Sequence, residues 1–124
     1  MNLNIDMLQQ KSADIAHSRK MLDKYGSMPR DKFLADETVV SAAKYQLLIG
    51  IEAAQNICNH LAARVAKRAP VSYGDCYKIL NEEGLIDKGL AGRMAKMAKF
   101  QNLLVYNYGN IDIITGGDLD EFFD

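Results

Sequence analysis

Only two prolines and two cysteines occur in this chain of 124 residues, and each scarcity excludes something. Few prolines leave long stretches without a helix breaker. Cys58 and Cys76 lie far apart and have no histidine at ligand spacing, which argues against both a disulfide scaffold and a zinc site. They are expected to be buried thiols in a reducing compartment. Charge of one sign is also lacking: 15 basic against 16 acidic residues give a net charge of -1. A strongly basic field of the kind that dedicated duplex-binding proteins use is therefore excluded, although a local basic patch is not. No apolar run approaches the ~20 residues needed to cross a bilayer. The opening stretch from Met1 to Lys11 has no basic segment followed by an apolar one, so the expectation is a cytoplasmic protein with no membrane association. The sequence also lacks a phosphate-cradling glycine loop, a His-x-x-x-His pair, a serine elbow and any period-two alternation.

What remains is an ordinary globular composition, 48% hydrophobic and 25% charged, which suits one domain spanning 1–124 with its own core. Every apolar stripe has helical spacing, so the expected class is all-α: an antiparallel bundle of four main helices plus a short C-terminal helical turn. The first helix runs from about Asn4 to Tyr25, with Ile5, Leu8, Ile15 and Leu22 on one side and Gly26 as its stop. The second begins near Asp31 or Asp36 and runs to about Lys67, carrying Val40, Ala43, Leu47, Ile51, Ala54, Cys58, Leu61 and Val65. Gly50 inside it marks a bend or a close helix contact. Arg64, Lys67 and Arg68 suit the negative pole of the helix dipole, and Pro70 follows the stop. A short third helix starts after Ser72, with Asp75 at capping-box spacing, and ends at Gly84. The fourth takes Asp87 as N-cap and aligns Leu90, Met94, Met97, Gln101, Leu104 and Tyr108. After Gly109, the Gly116-Gly117 pair and the acidic stretch from Asp118 to Asp124 read as a loop and one helical turn.

One segment says more than "helical bundle". Met97-Ala98-Lys99-Phe100-Gln101-Asn102-Leu103-Leu104-Val105-Tyr106-Asn107-Tyr108, followed by Ile111-Asp112, resembles the end-of-helix motif of the HepT-like family in the HEPN superfamily: Phe-Arg-Asn, two or three aliphatics, His, any residue, Tyr. The likeness extends upstream through Tyr45 to Leu61 with Asn59-His60, and through Ser72-Tyr73 to Ile86-Asp87. It implies an antiparallel bundle that forms a homodimer through the Asp87–Tyr108 helix. It further implies a toxin that cleaves RNA without metal or cofactor, and a partner, an MntA-like nucleotidyltransferase antitoxin that attaches AMP to a tyrosine. The matching acceptor here is Tyr108.

In the family, the arginine clamps a phosphate and the histidine moves protons at the 2'-hydroxyl and the leaving oxygen. Here those catalytic positions hold Gln101 and Tyr106, with Asn102 retained between them. Glutamine keeps a donor but loses the charge and the forked geometry. A tyrosine of ordinary pKa, about 10, is a poor base at neutral pH, although it can donate a hydrogen bond or stack on a base. Each replacement is expected to cost about 10²-fold or more in rate. Asn102 and Tyr106 share a face one turn apart. Gln101 and Tyr106 diverge by about 140°, which favours a composite site in the groove of a dimer.

Simpler readings stand beside these. Gln101 is either a polar residue across a dimer seam or a nucleic-acid contact. Tyr106 and Tyr108 are either amphipathic caps on a packing surface or site residues. Arg93, Lys96 and Lys99 form either a solvated face or a stripe that tracks RNA phosphates. His60 and His17 lack an orienting carboxylate and read as structural or solvated. The functional expectation is a HepT-like toxin with little or no ribonuclease activity. The alternative is a non-catalytic dimer that binds RNA or a partner as a regulatory module.

Overall fold

The structure, a computed structural model, describes residues 3–106. Five α-helices follow one another: α1 (Ile5–Gly26), α2 (Arg30–Ala35), α3 (Glu37–Leu61), α4 (Tyr73–Glu82) and α5 (Lys88–Tyr106). A π-helical turn, Ala62–Ala66, closes α3, and the described residues contain no strand. This is the all-α bundle expected from the apolar stripes. The C-terminal helical turn expected beyond Gly109 lies outside the described residues.

Side-chain caps set most helix starts. The Asn4 side chain accepts the Met7 N–H and opens α1, and the Asp36 carboxylate accepts the Val39 N–H at 3.1 Å and opens α3. Asp36 is extended, with φ -103° and ψ 93°, so the chain cannot continue as one helix through this point. The region expected to start near Asp31 or Asp36 therefore does both: a six-residue helix, anchored by buried Phe33, precedes the capped start of α3. Ser72 accepts the Asp75 N–H at 3.1 Å to open α4, while the Asp75 carboxylate reaches back past the cap to the Val71 N–H at 2.9 Å. Asp87 accepts the Leu90 N–H at 2.6 Å and opens α5.

Helix ends differ more from expectation. Gly26 is the last residue of α1 rather than a left-handed cap. The cap is Ser27, with φ -81°, and the terminal carbonyls are met by Ser27 N–H to Asp23, Met28 N–H to Tyr25 and the Ser27 hydroxyl to Lys24. Gly84, in contrast, takes φ +75° and lets Leu85 N–H bond back to the Leu80 carbonyl at 2.9 Å. At the close of the π turn the left-handed residue is Lys67, with φ 55°, and Arg68 N–H bonds to the Ala62 carbonyl at 3.0 Å. Arg68 also has a job beyond the helix dipole, since its guanidinium lies 3.6 Å from Glu82 and 3.5 Å from Glu83 at the end of α4.

α3 is the spine. α1 packs along it, while α4 and α5 pair with each other and also meet α3. At the α1–α3 crossing, a Cβ on Gly50 would stand 3.3 Å from Ser18 Cβ. Gly50 thus marks a close approach, and Ser18, buried there, donates its hydroxyl to Gln46 Oε1 at 3.1 Å. The main core joins Cys58 and Ala62 of the α3 end to Cys76, Tyr77, Ile79 and Leu80 of α4 and Ala98 of α5. A second cluster seats Phe100 of α5 on Ile51, flanked by Leu47, Leu48 and Met97. Because α1 has α3 as its main neighbour, its own stripe is only half covered and Ile5 is exposed. Among the described residues no helix is long and apolar enough to cross a membrane.

Candidate nucleic-acid site

Phe100 and Gln101 are consecutive, and both are buried. On a regular helix they point about 100° apart, so α5 straddles α3 with one residue on each side of the contact. Phe100 enters the apolar cluster around Ile51. Gln101 turns to a different surface of the same helix, a cavity of about 170 Å3 lined by Glu52, Gln55, Asn56 and Asn59 of α3, Tyr73 of α4 and Gln101 itself. The four α3 residues recur at three-and-four spacing and so form a polar row beside the apolar stripe. Two of the lining amides are almost fully enclosed: Gln55 is 3% exposed and Gln101 5%. Gln55 Nε2 donates to Asn59 Oδ1 at 3.1 Å, which leaves its carbonyl oxygen as the free end. Among the described residues neither Gln55 Oε1 nor Gln101 Oε1 has a hydrogen-bond partner.

Of the motif positions read from sequence, Gln101 is therefore an inward-facing residue of one protomer, held against its own α3. Asn102 is exposed one position on. Tyr106 contributes the last residue of α5, and Tyr108 lies outside the described residues. Arg93, Lys96 and Lys99 are all exposed. Helical geometry puts Lys96 and Lys99 about 140° and 160° away from Gln101 around α5, with Arg93 about 80° away but two turns earlier. The cations occupy the outer face, and the amide faces inward.

His60 is accounted for structurally, because its Nε2 accepts the Asn4 N–H at 3.0 Å and so ties the start of α1 to the end of α3. His17 is exposed. Cys58 and Cys76 are both free and buried. A hydrogen bond between the two thiols, with burial behind it, pushes Cys58 up, and the same bond pulls Cys76 down. Burial likewise pushes the Tyr77 phenol above its usual range, and its hydroxyl has no partner among the described residues. These groups are sealed in the core, away from the cavity. The described residues hold no cluster of three or more His, Cys, Asp or Glu side chains placed to bind a metal ion.

The polar row on α3 was missed in the sequence reading. Its signal was present as Glu52, Gln55, Asn56 and Asn59 at helical spacing, but a polar row on a long helix ordinarily faces water. Only the arrival of α5 at Phe100 and Tyr73 at the start of α4 turns this one into a cavity wall.

Comparison with known proteins gives two findings. The family described as "Ribonuclease HepT-like" matches residues 15–115. A solved chain from "Crystal structure of the toxin-antitoxin with AMP-PNP" superposes with a TM-score of 0.74 at 24% identity, over 91% of this chain and 83% of that one. That likeness shows a shared fold. No curated protein matches the chain.

Proposed function

The chain belongs to the HepT-like ribonuclease family, and on that premise we propose that it is the RNA-directed member of a toxin–antitoxin pair, able to bind RNA but crippled in cutting it. The observation that carries this reading is the state of Gln101. Where the motif expects a guanidinium, the protein holds a neutral amide, 5% exposed, with its carbonyl oxygen unpartnered and Glu52 on the same cavity wall. Such a group can donate a hydrogen bond to a phosphate oxygen but carries no charge to neutralise it. Binding falls instead to the exposed Arg93, Lys96 and Lys99. The proposal includes a homodimer through the Asp87–Tyr108 helix, which would bring two such surfaces together.

Anisotropy of a fluorescent single-stranded RNA tests the binding half. If three cations per protomer meet phosphates, log Kd rises with log salt at a slope of about 2 for each bound protomer, since single strands contribute about 0.7 per neutralised phosphate. Lys96→Ala with Lys99→Ala should lower that slope by about 1.4. Absence of binding even at low salt would overturn the reading.

The antitoxin half concerns Tyr108. A nucleotidyltransferase partner would join the Tyr108 phenol oxygen to the α-phosphorus of ATP, with pyrophosphate leaving and the phenol proton passing to base. The added phosphate and base would block RNA by charge and by volume. Peptide mass mapping after co-expression with such an enzyme should find AMP on Tyr108 and none after Tyr108→Phe. AMP found only on Tyr106, or on neither, would contradict the assignment.

A further inference from the structure

A groove of about 210 Å3 draws its lining from α1, α3, α4 and α5, and no polar atom reaches its surface. Ile15, Ile57, Leu61, Ile86, Leu90 and Met94 line it and are each half-buried, so apolar side chains distant in the chain meet water along one trough. An apolar trough rimmed by charge is the form that a docking surface takes. The rim here is mainly cationic. Lys11 and Arg19 stand one turn either side of Ile15 on α1, Arg64 follows Leu61 by three residues, and Arg93 precedes Met94. Asp14 and Asp87 are the acids next to lining residues in the chain. None of the four cations has an ion pair among the described residues. An occupant that suits this groove is apolar on one side and acidic on the other.

One segment of this chain has that chemistry. Leu119, Phe122 and Phe123 stand at three-and-four spacing, and Asp118, Asp120, Glu121 and Asp124 fill the positions around them. The match to the HepT-like family ends at residue 115, so this acidic and aromatic segment lies beyond the residues that the family shares. It is also long enough to arrive. Met94 precedes Tyr106 by 12 residues, about 18 Å back along α5, while the 13 residues from Tyr106 to Leu119 can span up to about 43 Å. An apolar cavity of about 150 Å3 holds a benzene ring, so this groove has room for one phenyl ring. We infer that residues 118–124 dock in the groove lined by Ile15, Ile57, Leu61, Ile86, Leu90 and Met94, seating a phenyl ring of Phe122 or Phe123 there and setting their acids against the rim cations. The inference does not rest on the RNA reading above.

Methionine methyl signals report on the groove, because an aromatic ring seated beside Met94 displaces its resonance, while Met28, which does not line the groove, serves as the control. In the full chain labelled at its methionine methyls, Phe122→Ser with Phe123→Ser should move the Met94 signal and leave Met28 in place. Both changes lie outside the described residues, so they leave the packed helices untouched. A synthetic peptide of residues 116–124, added to that double variant, should return the Met94 signal with a Kd of about 1 mM or tighter, since a short flexible tether supplies a local concentration in the mM range. Arg19→Glu in the same variant should weaken the peptide by about 3-fold or more, because it turns a rim attraction into a repulsion. An unmoved Met94 signal in the double variant, or a peptide that fails to saturate at several mM, overturns the inference. So does a Met94 position in the unaltered chain that changes with protein concentration, which would assign the groove to a second copy.

Discussion

Replacing Gln101 with arginine and Tyr106 with histidine together should raise metal-free RNA cleavage by at least about 10²-fold, while either replacement alone should raise it far less. Clamp and proton carrier serve one transition state: the arginine offsets charge growing on the phosphate, and the imidazole exchanges the proton at neutral pH. With one of them missing the other has little to act on, which is the source of the expected non-additivity. The fold can accept the larger side chain. Gln101 borders a cavity of about 170 Å3, with Glu52 on its wall to pair with part of the guanidinium charge. Glu52→Gln in the doubly substituted protein should therefore leave the fold intact yet loosen the placement of the arginine. A gel assay on labelled RNA with chelator present checks the effect. Equal activity in the double variant and the unaltered protein, both folded and dimeric, would mean that these two positions do not carry the chemistry.

Phe100→Ala should cost about 3–5 kcal/mol of stability, the range for deleting a fully buried aromatic side chain. Phe100 is 1% exposed and, with Ile51, forms the centre of the cluster that holds α5 on α3. Its loss opens a cavity between two rigid helices that cannot collapse freely. For a domain of this size the thermal midpoint should drop by roughly 10–20 °C. The adjacent Gln101 should lose its fixed placement as well. Phe100→Leu, which keeps most of the volume, should lose only about 1 kcal/mol. A midpoint within a few degrees of the unaltered protein would contradict the packing account.

The fold was readable wherever a residue's role depends on its own helix. Apolar stripes located α1, α3 and α5, while α4 was read from its Ser72–Asp75 capping-box spacing and the Gly84 stop; the caps Ser72 and Asp87 were legible because a short polar side chain at a helix start satisfies otherwise orphaned N–H groups. Structure decided what depends on a neighbour. Gln101 interrupts an apolar row, and periodicity fixes its azimuth on α5 but not whether α3 of the same chain or a second protomer lies opposite. It lies against its own α3. Ile5 falls on the apolar stripe of α1 yet is exposed, because that face has too few neighbours to cover it. The π turn at Ala62–Ala66 leaves no mark in an alanine-rich stretch, and its left-handed residue is a lysine, where composition favours glycine. Gly26 shows the reverse, a glycine at a helix end with ordinary backbone angles, beside a serine that caps through its hydroxyl and N–H.

Incubating the unaltered, purified protein with labelled single-stranded RNA under excess chelator is the most direct test of the central claim, with binding and integrity of the RNA followed in the same samples. The account predicts a retarded, salt-sensitive complex in which the RNA stays intact, since the buried Gln101 amide cannot neutralise the phosphate that cleavage would charge. Robust cleavage that persists after Tyr106→Phe would contradict it.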